Sequence, residues 1–164
     1  MEKTVYHRHL GVYGICVNSG RLLVIHKRGG PYAGRFDLPG GSIEPNETIL
    51  RTVEREFREE TGLQVRTLGN VGTKDFVVPW TRDGFEHTHC HHIAIFYEVA
   101  AVSGDIRESP NLYDSLGAEW VSLDRLRSEP CSPLVTEAAY WLNNGRLSEG
   151  TTFYREWEIY EPID

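Results

Sequence analysis

Residues 29–41, GGPYAGRFDLPGG, hold five glycines and two prolines and lead almost directly into the acid-rich stretch 47–61. Proline lacks a backbone N–H and glycine gives up the most entropy on ordering, so neither a long helix nor a regular strand is expected over 29–41. The segment has to be a loop that returns through Phe36-Asp37-Leu38. The stretch after it carries the opposite signal. Leu50, Val53 and Phe57 recur at i, i+3 and i+7, which predicts a helix over 47–61 with Asn46 as its N-cap, after Pro45, and Gly62 at its end.

The remaining chain reads as strands around this unit. Runs at 13–17 and 21–28 flank Asn18-Ser19-Gly20 as a hairpin, with Leu22, Val24, His26 and Arg28 on one face. Residues 63–78 and 87–102 predict two long strands about the polar turn TRDG at 81–84. A Gly/Ser/Pro/Asn loop over 103–117, a short strand at 119–121, a helix over 133–143 and a final strand over 151–160 complete the reading. No repeat or linker interrupts 164 residues, so one α/β domain spanning 1–164 is expected.

Charge narrows the partners. A net charge of −7 works against a groove for a nucleic-acid polymer, which needs many Lys and Arg to neutralise phosphates. A small phosphorylated ligand stays open, because a divalent cation can supply the positive charge. Cys16, Cys90 and Cys131 lie far apart without metal-ligand spacing and fit reduced thiols. The N-terminus lacks a signal-like apolar run, and no stretch approaches the ~18 apolar residues of a membrane span. The expectation is a cytoplasmic chain without a membrane partner.

On the predicted helix Glu56 and Glu60 stand at i and i+4, with Glu59 beside them, so three acids crowd one stripe. Arg55 and Arg51 offset part of that charge. Two readings stay open: a solvated charged face, or a site for a hard divalent ion such as Mg²⁺ or Mn²⁺, which takes one or two carboxylates and leaves positions for water and phosphate. Gly40 and Gly41 can bring backbone atoms close to the same pocket, since no Cβ blocks the approach.

The segment GSIEPNETILRTVEREFREETGL at 41–63 resembles the signature of the Nudix hydrolases through Gly41, Glu47, Arg55, Glu56, Phe57, Glu59, Glu60, Gly62 and Leu63. FDLPGG at 36–41 is similar to the lead-in of that signature, with Phe36 where Trp is common. The resemblance implies an α/β/α sandwich with a mixed central sheet. It also implies a Mg²⁺- or Mn²⁺-dependent hydrolase of pyrophosphate bonds in nucleoside di- or triphosphate derivatives. By the same resemblance Glu56 and Glu60 are metal ligands, Glu59 a third ligand or the base that orients water, Gly40 a carbonyl ligand, and Glu47 with Arg55 the brace between loop and helix.

By the same resemblance a general base is expected from the loop 103–117, and Asp114 is chosen over Asp105 and Glu108 because it lies just ahead of GAEW at 117–120, as that acid of the family often does. Arg28 is the expected contact to substrate phosphate, as a bidentate donor. His87, His89 and His91 read as one strand face, either a zinc site or a polar pocket wall. Trp80, Phe85 and Tyr113 can stack a base or serve packing. Within the resemblance, removal of oxidised nucleoside triphosphates competes with hydrolysis of ADP-ribose or related diphosphates. Pro79, 16 residues past Leu63, points weakly to the second. Outside it stand a non-catalytic nucleotide sensor and an interaction protein whose aromatic tail, 145–164, forms a homodimer edge.

Overall fold

The computed structural model describes residues 2–106 and 115–160. Its strands are β1 (Tyr6–Asn18), β2 (Arg21–Lys27), β3 (Phe36–Asp37), β4 (Gly40–Gly41), β5 (Leu63–Pro79), β6 (His89–Gly104), β7 (Ser115–Ser122) and β8 (Thr152–Phe153). Its helices are α1 (Ile49–Thr61), α2 (Leu123–Ser128) and α3 (Pro133–Asn144), and a 3-10 turn covers Gly30–Tyr32. One curled sheet runs β3-β2-β1-β6-β5-β8, with β4 added to β1 and β7 to β2. The sheet is mixed: β1 lies parallel to β6 and β5 to β8, while the other neighbours are antiparallel.

Alternation along β1 feeds a core on each face of this sheet. Val12 and Cys16 pack with Val53 and Phe57 of α1 and with Leu63, whereas Tyr13 and Ile15 pack with Leu134, Val135 and Ala138 of α3. The expected α/β/α sandwich with a mixed central sheet is therefore what the chain adopts. A Cβ on Gly14 would run into the Phe57 ring, so the missing side chain lets α1 sit directly on β1.

The helix boundaries correct the sequence reading in detail. Thr48, not Asn46, caps α1, with its hydroxyl accepting from Arg51 N at 3.3 Å. Asn46 instead adopts a left-handed φ of 64° in a turn closed by Glu47 N donating to Glu44 O at 3.1 Å. Leu50, expected on the apolar stripe, is 43% exposed, while Val53 and Phe57 are fully buried. Gly62 ends the helix as expected, with φ 77° and its N–H donating to Arg58 O.

The six-residue α2, capped by Ser122, was not expected, because so few residues give no helical period to read. The expected strand over 151–160 shrinks to Thr152–Phe153. Beyond it Trp157 turns back, donating its indole N–H to Pro31 O at 2.6 Å and stacking under the Arg35 guanidinium at 3.8 Å. Among the described residues no helix is long and apolar enough to cross a membrane.

Candidate active site

The glycine loop meets the acid helix at β4. Gly40 and Gly41 pair with Tyr13 and Val12 of β1, which fixes both glycines to the central strand. Gly40 has φ 151°, and a Cβ there would collide with the Val12 carbonyl, so only glycine fits. Its N–H donates to Glu60 Oε1 at 2.8 Å. At Gly41 a Cβ would stand 2.6 Å from Glu56 Oε1, so the second glycine leaves the room that Glu56 occupies.

Arg55 braces the acids. Its Nε and Nη2 donate to the two Glu47 carboxylate oxygens at 2.7 and 3.0 Å, and Nη2 also reaches Ser42 O at 3.0 Å. Thr52 Oγ1 donates to Glu47 Oε1 at 2.6 Å, so loop and helix are locked together at both ends of this pair. The hydrogen bonds from Arg55 hold the Glu47 carboxyl down to about 2. Arg55 Nη1 lies 2.9 Å from Glu56 Oε1 and 3.1 Å from Glu59 Oε2. The arginine thus covers Glu56 as well as Glu59, which helical spacing alone did not predict.

Glu60 is only 4% exposed, and burial, with repulsion from Glu56, pushes its carboxyl well above the usual range. Burial also raises Glu56, against the opposing pull of Arg55. A buried Glu60 and a half-buried Glu56 that repel one another, with oxygen-only donors, fit a hard divalent cation, which would favour the ionised form of both. Among the described residues no three His, Cys, Asp or Glu side chains close a cage around a cation.

Two cavities adjoin here. The first, about 300 Å³, is lined by Gly40, Gly41, Arg55, Glu56, Glu59 and Glu60 among others. The second, about 160 Å³, is lined mainly by aromatic and histidine side chains, including His7, Tyr32, Trp80 and His92. His9, Tyr13 and Lys27 line both, so the two adjoin across a shared wall as a two-part cleft with an acidic end and an aromatic end. Sequence reading missed Tyr13 and Lys27 and passed over His92 within its histidine run. Lys27 shares the alternation of Leu23, which packs under α1, and that parity was the signal available.

Arg28, expected at the phosphate, lies one residue past β2, is exposed and lines neither cavity, whereas its neighbour Lys27 lines both. Asp114, Glu108 and Tyr113 lie outside the described residues. Glu56, Glu59, Glu60 and Gly40 are brought together as expected. Of the three histidines expected on one face, His89 and His91 share it, both packing against Tyr6, and only His87 leaves it. His87 precedes β6 and packs against Trp80 and His7, with ring centroids at 4.8 and 5.2 Å. His91 accepts from Arg8 Nε at Nδ1 and donates from Nε2 to Asp75 Oδ2 at 2.8 Å. Trp80 joins the aromatic cavity, whereas Phe85 is 57% exposed beside Arg82.

Comparison with known proteins agrees with this arrangement. The chain is 31% identical over 120 residues to an ADP-ribose pyrophosphatase of Methanocaldococcus jannaschii, a match covering 73% of this chain and 65% of that protein. It is 28% identical over 127 residues to an oxidized purine nucleoside triphosphate hydrolase of Danio rerio, covering 77% and 72%. A NUDIX hydrolase structure from Nitrosomonas europaea superposes with a TM-score of 0.69 at 22% identity, over 86% of this chain and 92% of that one, which speaks for the fold. The NUDIX domain model itself matches residues 5–144, the span that holds every element from β1 to α3 and both ends of the cleft. By that match the chain belongs to the Nudix hydrolases, enzymes that act on pyrophosphate bonds.

Proposed function

We propose that the chain, acting as one domain over 1–164, hydrolyses the pyrophosphate bond of a nucleoside di- or triphosphate derivative with Mg²⁺ or Mn²⁺, in the clearance of oxidised nucleoside triphosphates. The observation that carries this reading is the adjacency of two cavities: an acidic one for a metal-bound pyrophosphate and one with aromatic and histidine side chains for a nucleoside, which share His9, Tyr13 and Lys27 as their common wall. Glu56 and Glu60 would hold the cation, with the Gly40 carbonyl and Glu59 as further ligands. When bound, the ion offsets phosphate charge and makes a water more acidic.

The chain's own groups supply the rest. Glu59, less buried than Glu60, is positioned by Arg55 to orient water or complete the ligand set. Lys27 lends positive charge beside Glu60 on the way to the aromatic end. Asp114 remains our choice of general base and Arg28 an outer phosphate contact. Attack in line with the leaving phosphate would release a nucleoside monophosphate and the remaining phosphorylated fragment.

A second reading, an ADP-ribose or nucleoside diphosphate sugar pyrophosphatase, is favoured by the identity to the Methanocaldococcus jannaschii protein. We place the enzyme in the cytoplasm, where the thiols of Cys16, Cys90 and Cys131 stay reduced. A homodimer through the tail, where Phe153 is 64% and Ile159 47% exposed, is the partner we assign besides the nucleotide. Turnover of a panel of oxidised and normal nucleoside triphosphates, ADP-ribose and nucleotide sugars, with Mg²⁺ and with excess EDTA, tests the reading. Full activity in EDTA overturns the metal requirement, and the best substrate decides between the two branches.

A further inference from the structure

A tyrosine, a histidine and a second tyrosine form a hydrogen-bonded chain that runs along the aromatic cavity and ends at Tyr13 in the wall shared with the acidic one. His92 is 3% exposed, with Nε2 2.7 Å from the Tyr13 hydroxyl and Nδ1 2.9 Å from the Tyr32 hydroxyl. Tyr13 and Tyr32 are themselves 4% and 3% exposed. Burial, with the nearby charges of His9 and Lys27, holds the imidazole well below its ordinary pKa, so it is neutral. A neutral imidazole has one N–H and one lone pair, and therefore donates to one tyrosine and accepts from the other.

Proton counting decides which. Among the described residues the Tyr32 hydroxyl has its hydrogen bond to His92. Were Tyr32 to accept there, its own proton would be buried without an acceptor, which is the costly arrangement. Tyr32 therefore donates to Nδ1, the Nε2–H donates to Tyr13, and the Tyr13 proton is left to point elsewhere. His9 Nε2, 3.4 Å from that hydroxyl, is its acceptor here through a hydrogen bond somewhat longer than the ordinary range. Tyr13 also lines both cavities, and its backbone holds Gly40 in register.

We propose that the Tyr13 hydroxyl, oriented by the His92–Tyr32 pair, is a substrate-binding donor that meets the oxygen joining the pyrophosphate and nucleoside halves. His92 and Tyr32 act through it as positioning residues. The inference rests on the pyrophosphatase reading of the same cleft. Its chemistry is that of a preoriented donor: the proton is already aimed, so little ordering remains when an anionic oxygen arrives and displaces the long contact to His9.

The test uses the full chain and the best substrate of the panel above. Tyr13→Phe keeps the ring and its packing and is expected to raise KM roughly tenfold or more, as for loss of one bond to a charged oxygen, with kcat within about threefold of wild type. His92→Leu is expected to lower Tm and to raise KM by the same factor, and the double variant to add nothing further to KM. His92→Gln, whose amide can again donate toward Tyr13, is expected to recover much of KM. A purely structural His92 would move Tm and leave KM where it was. Wild-type KM in Tyr13→Phe overturns the assignment while leaving the pyrophosphatase reading intact; no nucleotide turnover by the wild-type chain overturns both.

Discussion

The backbone N–H of Gly40 donates to Glu60 Oε1 across 2.8 Å and ties the last turn of α1 to the edge of β4. Glu60→Gln keeps an oxygen for that bond and the helix propensity of the position while removing one of two repelling charges. The expected result is a Tm within a few degrees of wild type, or above it, with pyrophosphate cleavage at saturating Mg²⁺ down by orders of magnitude. Glu54 lines neither end of the cleft, and Glu54→Gln should leave both quantities unchanged. Near wild-type turnover in Glu60→Gln would remove the metal face from this part of α1.

Acid should loosen the brace before it loosens the core. Arg55 holds the Glu47 carboxyl down to about 2, from an ordinary 4.5. A depressed folded-state pKa contributes stability above the unfolded-state value, and that stability is lost as pH falls from about 4.5 toward about 2. Thermal melts from pH 7 to pH 2 check it. The gap in Tm between wild type and Glu47→Gln should be widest above pH 5 and should close at the acid end. A gap independent of pH would show that the pair adds no charge-dependent stability.

Lys74 is 3% exposed, with its ammonium donating to the carbonyls of Ser148, Glu149 and Gly150. Lys74→Met fits the space and leaves those carbonyls without their donor, a loss of roughly 1–3 kcal/mol. A lower urea midpoint, with kcat at 25 °C unchanged, is the expected outcome. Unchanged stability would mean that water replaces the ammonium without loss.

Zinc should not stabilise the histidine-rich ends of β1 and β6. Both His91 nitrogens are engaged by Arg8 and Asp75, both His92 nitrogens by tyrosines, and His89 Nδ1 by Thr88 Oγ1 at 2.7 Å. His87 Nε2 is buried without a partner among the described residues, and no three His, Cys, Asp or Glu side chains there stand close enough together to hold a metal. Melting with and without equimolar Zn²⁺ should give the same Tm, and a clear rise would show that these histidines rearrange to bind it.

What could be read from the residues follows from how local each signal is. Val53, Phe57 and Gly62 announce α1 because a helix repeats within a few residues, and Glu56, Glu59 and Glu60 come together because they share that helix. The Thr48 cap was misplaced at Asn46 because either side chain can cap, and only the turn closed at Glu44 decides between them. Lys27, Tyr13 and His92 reach the cleft from three strands that are neighbours only through the parallel pairing of β1 with β6 and the hairpin with β2. Neither pairing is written in the spacing of the residues that use it. The tail was read as a strand from the alternation of Phe153, Trp157 and Ile159, a pattern that does not register Arg35, more than a hundred residues upstream, as the partner of Trp157.

Tyr13, His9 and Lys27 serve as a party wall, so the two ends of the cleft trade volume rather than vary freely. A larger side chain at any of these positions crowds both tenants, and a smaller one merges them. Divergence in what the enzyme accepts is therefore channelled to the far rim, where Trp80 and Pro31 touch only the aromatic end. Selection for a new ligand can rework that rim while the acidic end stays as it is.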